Sequence, residues 1–133
     1  MFLKGNLAHI VTLDGTRKSH SFVDPDLRNM EMGKNPTKED VAGHLATLKT
    51  HIEKNGITEI VLNRRVTAGQ MAGAAGTFLW EGILLTACPV PLKFVHVATI
   101  RATDKKVGDL KSLKPEEDVL LGKAYDFAFE GLK

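Results

Sequence analysis

The residues best suited to chemistry in this chain are Arg64, Arg65 and Thr67. They follow the apolar run Thr58 to Leu62 and precede Gly69 and Gln70, which open a stretch of small residues. Paired arginines offer planar forks that match phosphate oxygens. A glycine-rich helix start beyond a strand's carboxyl end offers unpaired N–H groups to an anion. The same residues also fit plain packing, with Arg64 and Arg65 solvated and Gly69, Gly73 and Gly76 letting a helix approach a sheet. The spacing is not that of a phosphate loop.

Other reactive side chains carry weaker signals. Of the five histidines, His44 and His51 share a helix face but sit seven residues apart, too far to chelate one ion together. His9, His20 and His96 fall on expected strands, so no histidine metal site is expected. Asp24 and Asp26 flank Pro25, and turn chemistry explains them without a ligand. Cys88 is the single cysteine and ends an apolar run with no basic neighbour, which reads as a buried small hydrophobe. It also excludes an internal disulfide and favours a reducing, cytoplasmic setting. The stretch Arg101–Lys114 carries an excess of three positive charges and reads as solvated surface. Trp80 and Tyr125 are isolated aromatics rather than a stacking array.

The elements that would position these groups follow from periodicity and turn signals. Met1–Lys4, Leu7–Leu13 and Arg17–Val23 read as three strands of a meander, separated by Gly5-Asn6 and Asp14-Gly15. Thr37-Lys38-Glu39-Asp40 has the capping-box pattern, Val41, Leu45, Leu48 and Ile52 recur at helical spacing, and Asn55-Gly56 stops the helix. Thr58–Leu62 reads as a strand buried on both faces. A helix from about Gly69 to Ala87 is broken by Pro89-Val90-Pro91, and Leu92–Val97 forms the next strand. The last helix begins after Pro115, with Glu116, Glu117 and Asp118 in its first turn. The order β-β-β-α-β-α-β-α implies an α/β domain with a mixed sheet.

The 133 residues suit one domain spanning 1–133, with 43% hydrophobic and 26% charged residues. A net charge of +2 is well short of the bias of a dedicated nucleic-acid binder. The N-terminus is too soon polar for a signal peptide. Ala68–Ala87 is interrupted by Gln70 and Glu81, so no membrane contact is expected.

This order resembles the RNase H-like superfamily, in a three-layer arrangement. The segment Ile60-Val61-Leu62-Asn63-Arg64-Arg65 with the small-residue helix after it looks like RuvC-type Holliday-junction resolvases. Leu3-Lys4-Gly5-Asn6 before a second strand looks like the opening of a small bacterial RuvC-like family of unknown function. The resemblance implies acids that hold two magnesium ions: one on the first strand, one at the end of the fourth, and an Asp-x-x-Asp pair on the last helix. Here those positions fall at Phe2, at Leu62 or Asn63, and at Lys123 and Asp126, with Glu59 the only other acid near the fourth strand. Two ions about 4 Å apart need several convergent carboxylates, so Asp126 alone cannot form the cage.

The expectation is therefore a pseudo-nuclease, leaning away from an enzyme and without a cofactor. It would bind nucleic acid or another polyanion through Arg64, Arg65, Thr67, Gly69 and Gln70. Two alternatives stand beside it. One is a magnesium-dependent nuclease using Asp126 and an unplaced carboxylate. The other is a non-catalytic interaction module, a homodimer.

Overall fold

The computed structural model describes residues 1–64 and 75–133. The chain opens with β1 (Phe2–Lys4), turns at Gly5 with φ +59°, and returns as β2 (Leu7–His9) in antiparallel register. A positive φ at Gly5 is easy only without a Cβ. The strand that pairs β2 on its other edge is β5 (Asn29–Glu31), with Ala8 opposite Met30.

The expected third strand, Arg17–Val23, does not join this sheet. β3 (Leu13–Gly15) and β4 (His20–Phe22) pair only with each other as a side hairpin. Asp14-Gly15 ends β3 instead of making the turn. The polar residues Thr16–Ser19 close it, with Thr16 N–H donating to the Ser19 carbonyl at 2.8 Å. β5 escapes notice because its alternation lasts three residues, with Met30 buried between exposed Asn29 and Glu31.

The first helix, α1 (Lys38–Asn55), follows the sequence reading. Thr37 and Asp40 form the reciprocal capping box, and Gly56 takes the left-handed conformation at the other end. β6 (Ile60–Asn63) and β7 (Leu92–Val95) run parallel, with Ile60 opposite Leu92. Parallel pairing requires a crossover, and α2 (Ala75–Ala87) is the described part of the connection, with Trp80 and Leu84 buried.

Arg101–Lys114 is not a simple solvated stretch. Its first part lies in α3 (Val97–Val107), capped by His96, and a 3-10 turn follows over Gly108–Leu110. The last helix, α4 (Val119–Glu130), starts later than expected. Asp118 is its N-cap, accepting from Leu121 N–H, so Glu116 and Glu117 precede the helix. Among the described residues, no helix is long and apolar enough to cross a membrane.

β6 lies between two apolar clusters because successive side chains point to opposite faces. Ile60 and Leu62 join Leu3, Ala8, Met32, Leu48, Trp80 and Leu84 on one side, while Val61 joins Val95, Ile100 and Phe127 on the other. The turn after β1 locks α2 to the sheet. Thr77 Oγ1 donates to the Gly5 carbonyl at 2.8 Å and Trp80 Nε1 to the Asn6 carbonyl at 2.9 Å.

Gly76 permits this approach. A Cβ there would lie 2.6 Å from Asn6 Cα, whereas one at Gly43 on α1 would meet nothing. Urea unfolding should therefore show Gly76→Ala destabilised by about 1–3 kcal/mol. Gly43→Ala should instead be neutral or more stable by up to about 1 kcal/mol.

Candidate functional site

β1 is held against β6 by unusual partners. The Met1 amino group donates to the Val61 carbonyl at 2.8 Å. The Asn63 amide then replaces a backbone unit: its Oδ1 accepts from Leu3 N–H at 2.8 Å and its Nδ2 donates to the Leu3 carbonyl at 3.0 Å. Only an amide can offer an acceptor and a donor this way, since a carboxylate is acceptor-only. Leu62, the other residue aligned with an acid, is fully buried in the apolar core.

α4 packs over β1. Phe2 stacks on Phe127 with ring centroids 6.0 Å apart and planes 10° from parallel. The exposed Lys123 brings its ammonium 5.3 Å above the Phe2 ring, a cation–π arrangement. Phe2 also stacks on His9 at 6.3 Å. Burial pushes the His9 imidazolium below its ordinary pKa, as Lys4 also does, against an opposing pull from Asp118. Phe2, Asn63 and Lys123 thus gather around β1.

Asp126 is engaged elsewhere. Its side chain is 9% exposed, with Oδ1 2.9 Å from Lys111 Nζ and Oδ2 2.8 Å from Lys114 Nζ. Lys111 Nζ also reaches Asp104 at 2.6 Å, and its side chain is only 4% exposed. This corrects the reading of Arg101–Lys114 as solvated surface, because a buried ammonium cannot remain unless carboxylates neutralise it. Next to Asp126, the hydroxyl of fully buried Tyr125 lies 2.6 Å from His20 Nε2. Burial, with the Asp126 charge adding, pushes the Tyr125 pKa up to about 12.

Glu59 does not complete a pair with Asp126. It precedes β6, about 13 Å along the strand from Asn63 at 3.3 Å per residue, and its Oε1 lies beside Gly131, just past α4. Among the described residues, no three His, Cys, Asp or Glu side chains are grouped to hold a metal ion. The residues present do not fit a magnesium pair: the aligned positions hold a phenylalanine, an amide and a lysine, and both oxygens of Asp126 face ammonium groups.

Arg64 remains exposed where β6 ends. Its N–H donates to the Val95 carbonyl at 3.2 Å, and its guanidinium lies 4.9 Å over the Phe94 ring. Arg65, Thr67, Gly69, Gln70 and Gly73 lie outside the described residues. Gly76 serves packing, as the bland reading of the glycines had it.

The described histidines with resolved partners make structural contacts. His51 pairs with Thr12 and Asp24, His44 packs on Trp80, and His96 accepts from Ala98 N–H. Sequence reasoning missed Lys111, Lys114 and Phe94. Lys111 and Lys114 left no signal beyond membership of a basic stretch.

The molecule is a mixed α/β protein whose fold is similar to that of RuvC. T. thermophilus RuvC, solved in complex with a Holliday junction substrate, superposes on it with a TM-score of 0.59 at 16% identity. The match covers 90% of this chain and 89% of that one. No curated protein matches the sequence. The chain belongs to the family described as protein of unknown function DUF3010, whose model matches residues 1–131.

Removing one partner of a buried ion pair strands the other. Asp126→Asn should lower unfolding stability in urea by about 3 kcal/mol or more, since it leaves Lys111 buried with Asp104 alone. A neutral substitution would mean that the ion pairs do not hold this region.

Proposed function

We propose that this chain binds nucleic acid as a RuvC-like domain without metal-dependent hydrolysis. The binding surface consists of Arg64 and Lys123, extended in sequence by Arg65, Thr67, Gly69 and Gln70. The observation that carries the reading is a reversal of charge. The acid expected to hold metal is saturated by Lys111 and Lys114, while Arg64 and Lys123 stand exposed, each over an aromatic ring.

The two cations lie over rings on the two sides of β6: Phe94 packs with the cluster of Ile60 and Leu62, Phe2 with that of Val61 and Phe127. Arg64 directly follows Asn63, Asn63 is bonded to Leu3, and Lys123 sits above the neighbouring Phe2. Aromatic support fixes each cation without neutralising it, which leaves it available to phosphate. The Holliday junction bound by T. thermophilus RuvC makes branched DNA the first ligand to try. The nuclease alternative loses support, because a cation at Asp126 would have to displace two ammonium groups.

Fluorescence anisotropy with a four-way junction and with single-stranded DNA tests the reading across a salt series. Arg64→Ala with Lys123→Ala should weaken binding and reduce the slope of log K against log salt by about 2, since each lost phosphate contact contributes about 0.9. Absence of binding at low salt, or a slope unchanged in the double variant, would contradict it.

A further inference from the structure

A second surface has the opposite character. A groove of about 530 Å³ runs between Ile10–Thr12, the segment Phe22–Arg28 after β4, and Pro115–Leu121 leading into α4. Its apolar lining includes Ile10, Val23, Leu27 and Leu121. Its walls carry Asp24, Glu116, Glu117 and Asp118 against Arg28 as the basic residue of the lining.

These acids differ in availability. Asp24 is engaged by Asn55 and Lys54, and Asp118 caps α4. Glu116 and Glu117 are exposed, and among the described residues neither makes an ion pair. Phe22, 36% exposed, lines the groove, and Val119, 68% exposed, follows the lining residue Asp118 in the chain. On a chain whose net charge is +2, an apolar trough edged by unpaired carboxylates is a local departure from the rest.

We infer that this groove docks a short basic segment of a partner protein. Apolar side chains of the segment would enter the trough and its lysines or arginines would meet Glu116 and Glu117. Charge decides against nucleic acid here, because phosphates would face carboxylates. The extent of the apolar surface decides against a small amine, because Ile10, Phe22, Val23, Leu27 and Leu121 line one groove of about 530 Å³. Apolar burial would supply affinity, and complementary charge at the edge would supply selectivity. The inference is independent of DNA binding, which uses different residues.

The test uses the whole chain and a fluorescein-labelled peptide of alternating lysine and leucine, about twelve residues long, at about 0.15 M salt, where weak surface charge effects are screened. A glutamate–leucine peptide and oligolysine of the same length serve as controls. The lysine–leucine peptide should bind and shift the ¹⁵N amide signals of Val23, Leu27 and Leu121, while both controls bind at least about tenfold more weakly.

Glu116→Lys with Glu117→Lys should weaken the lysine–leucine peptide about tenfold or more, and so should Phe22→Ser with Val119→Ser, which alters exposed positions. Arg64→Ala with Lys123→Ala should leave it unchanged, which separates this outcome from failure of the DNA reading. The inference is overturned if the signals shift elsewhere, if oligolysine binds equally well, or if charge reversal has no effect. Growth in mass with concentration by light scattering, abolished by the same charge reversal, would also overturn it, assigning the groove to a second copy of this chain.

Discussion

A carboxylate taken out of water must find positive charge within a few ångströms or give up its own. Asp126 meets that demand with two ammonium groups, one on each oxygen, and Lys111 carries the bond on to Asp104. The lysines come from the segment joining α3 to α4, so this one neutralisation ties three stretches of chain together. It also determines what the site can do. A divalent cation would have to replace charges the fold has already supplied, and magnesium gives up its own water reluctantly.

The remaining substitutions point the same way. At Phe2 an aromatic ring packs on Phe127, and at Asn63 an amide continues the hydrogen bonding between β6 and β1. Each residue makes a contact a carboxylate could not make, so an acid introduced at either position would meet structural resistance. Lys123 over Phe2 and Arg64 over Phe94 are exposed cations, each resting on an aromatic ring.

Part of this was readable in the chain alone. α1 was clear because its caps and apolar positions agree over eighteen residues. β6 and β7 were clear because both are apolar runs bounded by turn signals. The mixed α/β class was readable, but five strands rather than three precede α1, α3 was not foreseen, and the described strands form three sheets rather than one. A three-residue strand such as β5 has no period long enough to see, and Asp14-Gly15 gave a turn signal one step before the turn itself. Phe2, Asn63 and Lys123 could be aligned from sequence, but the bonds that give Asn63 its role depend on β1 reaching β6 across sixty residues. Lys111 was unreadable for a related reason. A lysine is buried only by its partners, and Asp126 is fifteen residues away. The functional reading of Arg65, Thr67, Gly69 and Gln70 still rests on sequence.

The central claim is that lysines occupy the place of a metal at Asp126. Paramagnetic broadening by Mn²⁺ in ¹⁵N spectra of the whole chain tests it most directly, followed at Asp126, Tyr125 and Asn63 with and without branched DNA. The expected result is no selective broadening at these residues in either state. Selective broadening centred on Asp126 and Asn63, accompanied by Mn²⁺-dependent cleavage of the DNA, would contradict the claim.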